Sequence, residues 1–298
     1  MNYILALAGV LGVSMSGPIM AATAAPALSI ALWRNALGSA ALGIYVGAAQ
    51  RTNLRALTFK DYGWTAFSAL ALAGHFACWI TSLKLTSVAS ATALVCMQVA
   101  WVAILTRLRG GRTSRRIASG LAVAIVGVFV ITGFDFSLST EALVGDLLAV
   151  AGGMFAALYV MAGAKLRRTM STTTYAALCY GGSALVLLLL CLATGQPLWG
   201  FSVWAWAGIV GVTIVAQLVG HTVFNHLLAV MSPMVVSLII LLEVPGAALL
   251  AGVFLGQTPP AGTYLGLVFI LAGLAVVVTG QQRPDPAKTV SRPRRTTP

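Results

Sequence analysis

The sequence predicts an all-α integral membrane protein with ten transmembrane helices, arranged as two inverted repeats of five helices each. Three observations predict this fold. The composition is too apolar for a soluble domain, ten apolar runs are long enough to cross a bilayer, and the second half of the chain repeats features of the first.

The composition favours a membrane protein over every soluble class. Of the 298 residues, 59% are hydrophobic and only 8% are charged, and the mean hydropathy is +0.95, whereas a soluble globular chain carries about 25% charged residues. The net charge of +12 does not indicate a nucleic-acid partner, because the Lys and Arg residues fall in short polar gaps between apolar runs. The four cysteines lie within apolar runs without CxxC spacing, so neither a disulfide framework nor a metal site is expected.

A helix needs about 20 residues to cross the hydrocarbon core of a bilayer, which is about 30 Å thick. Ten runs meet this length, at about 3–20, 27–48, 64–83, 88–106, 116–134, 145–164, 174–194, 203–228, 231–254 and 262–280. The connections are mostly a few residues long, so neighbouring helices are predicted to be antiparallel in one bundle with no soluble domain. Residues 282–298 are polar, Pro-rich and basic, and we expect a disordered cytoplasmic tail there.

The start of the chain has an alternative interpretation. "MAATAAPA" (residues 20–27) follows the first run and resembles the small-residue cleavage site of a signal peptide. The opening "MNYI" lacks the basic region that precedes such a signal. We therefore interpret the first run as a retained helix, which the internal repeat also requires.

The distribution of basic residues predicts the orientation. Sixteen of the eighteen Lys and Arg residues fall in one alternate set of connections and the tail, Lys84 is the single one in the other set, and Arg34 lies within a run. Basic residues accumulate on the cytoplasmic side. The sequence therefore predicts a multi-pass protein of the inner (plasma) membrane with both termini in the cytoplasm.

Two stretches of the sequence match each other, "TSVASATALVCMQVAW" (86–101) and "MSPMVVSLIILLEVPG" (231–246). Each begins a run after a Ser-containing turn. Gln98 comes eleven residues after Ser87, and Glu243 comes eleven residues after Ser232. The two stretches are therefore predicted to be copies, separated by about 145 residues along the chain.

The runs that follow these stretches also match, because Gly120 and Gly127 are seven residues apart, as are Gly266 and Gly273. Such glycines allow helices to approach closely. Each copy contains five runs, and an odd number makes the second copy enter the membrane from the opposite side. This inverted duplication is typical of secondary transporters. The predicted units are residues 1–137, 138–281 and the tail 282–298.

Three quoted segments resemble the EamA type of the drug/metabolite transporter superfamily: "PALSIALWRNALGSAALG", "GDLLAVAGGMFAALYV" and "LEVPGAALLAGVFLGQTPPAGTYLGLVFILAG". The resemblance covers about residues 3–280 and implies export of small metabolites from the cytoplasm. Amino acids are the first expectation, and an aromatic amino-acid exporter of the YddG type would suit the aromatic residues discussed below. Two features depart from the family pattern, since Ala100 replaces a proline and Arg112 and Gln257 stand near the places of two glutamates.

Glu243 is the leading candidate for a functional residue. At 1.5 Å per residue it lies about 18 Å into its run, near the middle of the bilayer. A charge there costs at least about 2.5 kcal/mol, so the side chain is expected to face a hydrated cavity, find a partner, or be protonated. It either lines the substrate path or locks the packing by pairing with Arg34 or His221. Pro245 is either a gating joint or a plain kink.

Polar residues recur at helical spacing in other runs and are predicted to face inward. Aromatic residues near them can stack on an apolar substrate or can simply pack the bundle. The candidate substrate-binding residues are His75, Trp79, Gln98, Trp101, Tyr159, Gln217, His221, Asn225 and Glu243.

The sequence gives little support to other classes of function. It contains no His-Glu-x-x-His helix, no Gly-x-Ser-x-Gly turn and no phosphate-binding glycine loop, so we expect neither an enzyme nor an ATP-driven pump. A channel and a membrane partner subunit are the remaining alternatives. We expect no cofactor, no metal ligand, no catalytic residue and no nucleic-acid partner. The expected partners are a small-molecule substrate and membrane lipid, for a protein that works as a monomer.

Overall fold

The computed structural model describes residues 2–50, 54, 57–110, 115–259 and 261–281. Every regular element in these ranges is helical. The elements in chain order are α1 (Asn2–Ser14), α2 (Ser16–Ala22), α3 (Ala27–Ala49), α4 (Phe59–Leu85), α5 (Val88–Val95), α6 (Gln98–Leu108), α7 (Arg115–Leu138), α8 (Thr140–Leu166), α9 (Thr172–Ala193), α10 (Val203–Val212), a π-helical segment (Thr213–His221), α11 (Thr222–Leu227), α12 (Pro233–Ile240), α13 (Glu243–Leu255) and α14 (Ala261–Gln281). The predicted tail and three of the counted basic residues, Arg51, Arg55 and Arg112, lie outside the described residues.

The chain is a multi-pass membrane protein, because several of its helices are long and apolar enough to cross a bilayer. In the described ranges seven helical stretches qualify: Tyr3–Ala22, Ala27–Ala49, Phe59–Leu85, Val88–Leu108, Thr140–Leu166, Thr172–Ala193 and Val203–Leu227. The other three predicted spans coincide with α7, with α12 and α13, and with α14. Of these, α13 and the Ala261–Gly273 part of α14 are apolar but shorter.

Several helices extend beyond the apolar runs because polar residues cap their ends. The side chain of Thr58 accepts a hydrogen bond from the Asp61 amide, and the Asp61 carboxylate accepts one from the Thr58 amide, so α4 begins at Phe59 rather than at the predicted residue 64. Ser139 accepts a hydrogen bond from the Ala142 amide and starts α8 five residues before the predicted span. Apolar patterns alone miss such capped first turns.

Two of the predicted spans are interrupted at matching positions. The helix breaks at Cys96–Met97 between α5 and α6, and again at Leu241–Leu242 between α12 and α13. At both breaks the backbone hydrogen bonds shorten to a three-residue spacing, from Met97 N to Leu94 O and from Leu242 N to Ile239 O, each 3.1 Å. Pro245 lies only in the second span, within the first turn of α13. A proline is therefore not required for this interruption.

The helices α7 and α14 pack against each other through glycines. A Cβ atom at Gly127 would lie 2.6 Å from Gly266 O, and one at Gly273 would lie 2.5 Å from Gly120 O. Both distances are far below a van der Waals contact, so only glycine allows this approach. The two contacts are exchanged copies of each other: Gly127 of α7 meets Gly266 of α14, and Gly273 of α14 meets Gly120 of α7. In the same bundle α4 packs along α8, and α3 packs along α9.

Contacts between connections gather at two ends of the bundle. At one end Lys84 Nζ donates to the carbonyls of Met20, Ala21 and Thr23 at the end of α2. At the other end, the hydroxyls of Ser171 and Thr174 donate to Gln50 Oε1. The first end carries the connections that are poor in Lys and Arg, and the second end carries those that are rich in them.

Candidate functional site

A cavity lies inside the bundle, where the helix interruptions meet α4 and the π-helical segment. Its volume is about 40 Å³, which has room for about three water molecules. The residues around it come from both halves of the chain: Val13, Ser16, His75, Trp79, Val95, Cys96, Gln98, His221, Phe224, Ser237, Ile240 and Glu243. Five of the predicted substrate-binding residues are among them.

The cavity wall carries buried polar atoms that the protein does not satisfy. Within the described residues, Glu243 Oε1, Ser16 Oγ and Trp79 Nε1 have no hydrogen-bond partner. Glu243 begins α13 directly after the break, and its side chain is 5% exposed. Buried polar groups in proteins are nearly always hydrogen-bonded. One acceptor, one hydroxyl and one N–H donor are therefore available in this cavity to water or to a ligand.

Gln98 holds the equivalent position in the first half, but its side chain is satisfied. Its Nε2 donates to Ser237 Oγ over 2.8 Å, joining α6 to α12. The repeat offset of 145 pairs Gln98 with Glu243 and Thr92 with Ser237. The contact that the repeat relates to Gln98–Ser237 would join Glu243 to Thr92, but Thr92 Oγ1 and Glu243 Oε1 are both buried without a hydrogen-bond partner among the described residues. The two halves thus differ in how the matching polar positions are used.

Aromatic rings form one side of the cavity. The ring of His75 stacks on Trp79 with centroids 5.6 Å apart and an interplanar angle of 17°. His75 Nδ1 lies 3.1 Å from Gly152 O, and it carries the hydrogen because a carbonyl oxygen only accepts. His221 ends the π-helical segment with its ring 6.3 Å from His75. π-helical turns are frequent at functional sites, and here the turn brings His221 to the cavity.

Arg34 on α3 is fully buried behind this aromatic side. Its Nε donates to Gln217 Oε1 over 2.9 Å, its Nη1 to the Met20 sulfur over 3.2 Å, and its guanidinium lies 4.2 Å from the centre of the Phe76 ring. In the described part of the chain Arg34 Nη2 has no partner, and no ion pair within 4.0 Å joins Arg34 to Glu243. No hydrogen bond joins Glu243 to His221 within these residues either. The pairing that would have made Glu243 a packing lock is absent there.

A chain of hydrogen bonds connects three further predicted residues behind the cavity. Tyr159 donates to Asn225 Oδ1 over 2.6 Å, and Asn225 Nδ2 donates to the Tyr180 hydroxyl over 3.3 Å. The Tyr180 hydroxyl in turn lies 3.4 Å from the main-chain oxygen of Gln217, and Gln217 donates through Nε2 to Asn35 Oδ1 over 3.1 Å. These side chains do not line the cavity. They support it, with the Tyr159 ring 6.5 Å from that of His221.

The comparison with known families decides the class of protein. The model of the EamA-like transporter family matches residues 1–133 and 143–279. The chain belongs to the EamA-like transporter family. This agrees with the family resemblance in the sequence and indicates a transporter of small molecules rather than an enzyme. The YddG type is a finer assignment than the match gives.

One curated protein and one solved structure are similar to this EamA-like transporter. An uncharacterized transporter of Archaeoglobus fulgidus is 23% identical over 228 residues, which are 74% of this chain and 78% of that protein. A protein of known crystal structure is 18% identical and superposes with a TM-score of 0.66, over 95% of this chain and 99% of the other. The latter likeness shows the fold alone.

The cavity wall of this EamA-like transporter combines polar groups with aromatic rings. Ser16 Oγ in this wall has no hydrogen-bond partner within the described residues, whereas Ser237 Oγ accepts from Gln98 Nε2. No group of three or more His, Cys, Asp or Glu in those residues could hold a metal ion. Ligand pockets in proteins typically have such walls, mostly apolar and aromatic with a few polar groups.

Two predicted residues of the EamA-like transporter lie elsewhere. Trp101 is partly buried and packs against the apolar core, and it does not line the cavity. Pro245 is exposed on α13. Sequence reasoning missed Ser237 and Ser16. The 145-residue offset from Thr92 would have identified Ser237, whereas Ser16 has no polar neighbour at helical spacing that marks it as lining a cavity.

Proposed function

We propose that this EamA-like transporter exports small metabolites from the cytoplasm, and that its substrates are amino acids with aromatic or other apolar side chains. The observation that carries the proposal is the cavity, where unsatisfied polar atoms of Glu243, Ser16 and Trp79 adjoin the stacked rings of His75 and Trp79. Polar atoms suit the charged backbone of an amino acid, and the rings suit its side chain. In this proposal the protein is of the YddG type and works as a monomer.

The proposed architecture is two inverted repeats, residues 1–137 and 138–281. Three observations support it. The family model matches two stretches with nearly these limits. The helix breaks before Gln98 and Glu243 have the same hydrogen-bond pattern. The exchanged glycine contacts of α7 and α14 are those expected of two halves related by a twofold axis.

The proposed mechanism is alternating access around the cavity. Ligand pockets usually have volumes of about 300–1,000 Å³, so a cavity of about 40 Å³ has to widen before it admits an amino acid. The interrupted helices border the cavity and have weakened backbone hydrogen bonds, which makes them suitable joints. Pro245 is the proposed gating residue in the second half, because it has no N–H that could bond back to Leu241 O across the break.

The proposed location is the inner (plasma) membrane with both termini in the cytoplasm. The clustering of connections at two ends supports this orientation, since Lys84 lies at one end. The basic Arg167 lies at the other, where it bonds to Asn225 O and Thr172 Oγ1. Cytoplasmic connections carry the excess of basic residues.

Counterflow in liposomes tests the function. The purified full chain is reconstituted, the vesicles are loaded with unlabelled phenylalanine, and the uptake of labelled phenylalanine is followed. A carrier gives faster uptake into loaded than into empty vesicles, whereas a channel gives no acceleration. Vesicles without protein provide the control. Acceleration by another class of metabolite but by no amino acid would overturn the proposed substrate class and leave the carrier mechanism standing.

A further inference from the structure

Two buried groups of opposite charge lie on opposite sides of the cavity's aromatic rings and do not form an ion pair with each other. Arg34 is fully buried and Glu243 is 5% exposed. Within the described residues no nitrogen of Arg34 lies within 4.0 Å of a carboxylate oxygen of Glu243. Buried charges in proteins are normally paired and hydrogen-bonded. Each of these two groups therefore has a missing counter-ion.

The guanidinium of Arg34 is oriented so that one edge is available. Gln217 holds Nε, and the ring of Phe76 covers one face. The remaining edge is formed by Nη1, which donates to the sulfur of Met20, and by Nη2, which has no partner in the described chain. A thioether is a weak acceptor. This pair of nitrogens is the fork that binds a carboxylate through two parallel hydrogen bonds.

The carboxylate of Glu243 faces the cavity with one oxygen unused. The matching side chain of the first half, Gln98, is neutral and bonded to Ser237. The negative charge therefore occurs on one side of the cavity only. An ammonium group is the natural partner for it, since it supplies up to three N–H donors and one positive charge.

We infer that Arg34 and Glu243 recognise the two charges of one zwitterionic substrate, with the carboxylate on the Nη1–Nη2 edge of Arg34 and the ammonium on Glu243. The carboxylate displaces the Met20 sulfur from Nη1. This inference rests on the proposed function and narrows it to molecules with a free ammonium and a free carboxylate close together. A molecule with one of these charges leaves one buried group of the protein unpaired.

Competition in the counterflow assay tests the inference. The competitors are phenylalanine, phenethylamine, which lacks the carboxylate, and 3-phenylpropionate, which lacks the ammonium. A site built to bond a polar group rejects strongly a molecule that lacks it, so we expect wild-type protein to prefer phenylalanine by at least about tenfold over both. Equal competition by all three, with counterflow of phenylalanine intact, would overturn the inference and leave the proposed function standing. No counterflow of any amino acid would overturn both.

Two variants assign the charges to the residues. Arg34→Gln should reduce the preference for phenylalanine over phenethylamine to less than about threefold, and Glu243→Gln should do the same for 3-phenylpropionate. Arg167→Gln is the matched control, because Arg167 is another buried arginine but bonds to Asn225 O and to Met170 O. It should keep the wild-type preference. An unchanged preference in both test variants would contradict the assignment.

Arg34→Lys covers the case in which Arg34→Gln does not fold. It keeps the charge and loses the fork, so phenylalanine should bind more weakly while phenethylamine still competes poorly. If phenethylamine competes as well as phenylalanine in the Arg34→Lys variant, a positive charge at this position does not select the carboxylate, and the inference fails.

Discussion

Gln98 and Glu243 each form the first residue of a helix that begins directly after a break in its span. They are 145 residues apart, and both lie in the wall of one cavity. The side chain of Gln98 is satisfied by Ser237. That of Glu243 keeps one oxygen free of any partner in the described residues. The same position of the repeat thus serves structure in one half and remains available for a ligand in the other.

The first prediction concerns the charge of Glu243. Glu243→Gln should slow counterflow of phenylalanine by about tenfold or more, because the neutral amide loses the charge-assisted hydrogen bond to the substrate. Gln257→Ala is the comparison, since Gln257 accepts a hydrogen bond from the Val88 amide at the start of α5 and does not line the cavity. Its rate should stay within about twofold of wild type.

The measurement is the initial counterflow rate divided by the amount of protein inserted in the vesicles. Equal, wild-type rates for both variants would remove Glu243 from the mechanism. A larger loss of rate in Gln257→Ala would show that transport depends more on the contact between α5 and the connection after α13 than on Glu243.

The second prediction separates the two polar pairs of the repeat. Ser237→Ala removes the acceptor of Gln98 and leaves a buried amide unsatisfied, so it should destabilise the protein by about 0.6–1.7 kcal/mol. Thr92→Ala removes a hydroxyl with no hydrogen-bond partner in the described chain, so it should change the stability by less than about 0.5 kcal/mol. Thermal unfolding of both variants in one detergent measures the difference. A larger loss in Thr92→Ala would show that its hydroxyl has an unrecognised partner.

The helices themselves follow from the sequence, because long apolar runs require backbone hydrogen bonds within one segment when they enter lipid. The interruptions do not follow in the same way. Cys96 and Met97 carry no helix-breaking side chain, and the break there depends on packing between helices that are distant in sequence. Only the comparison with Leu241 and Leu242, next to Pro245, would have suggested it.

The sequence predicts the positions of the residues around the cavity only in part, for a similar reason. His75 and Trp79 are one helical turn apart and reach the cavity together, as regular spacing indicates. Trp101 is three residues from Gln98 but packs in the core. Helical spacing places residues on one face and does not give the extent of the cavity along that face. The role of Arg34 depends on Gln217 and Met20, which lie far from it in the sequence.

The third prediction concerns the contact between α7 and α14. Gly127→Ala and Gly273→Ala should each destabilise the protein by about 1–3 kcal/mol, because the new Cβ meets backbone atoms that have to shift. The two losses should be similar, since the contacts are exchanged copies. Gly43→Ala is the control, because a Cβ at Gly43 on α3 meets no atom within 4 Å. It should leave the unfolding temperature unchanged or raise it slightly. A loss in only one of the two test variants would contradict an exchanged, symmetric contact.

The fourth prediction concerns the orientation of the chain. Thr194 follows α9 and Thr169 follows α8, and both side chains are exposed on connections at opposite ends of the bundle. In a Cys78→Ser background, Thr194→Cys should react with a membrane-impermeant thiol reagent on intact cells, and Thr169→Cys should react only after the cells are opened. The other three cysteines are buried, so the background labelling should be low. The reverse pattern would place the basic connections outside, and it would turn the proposed direction of export around.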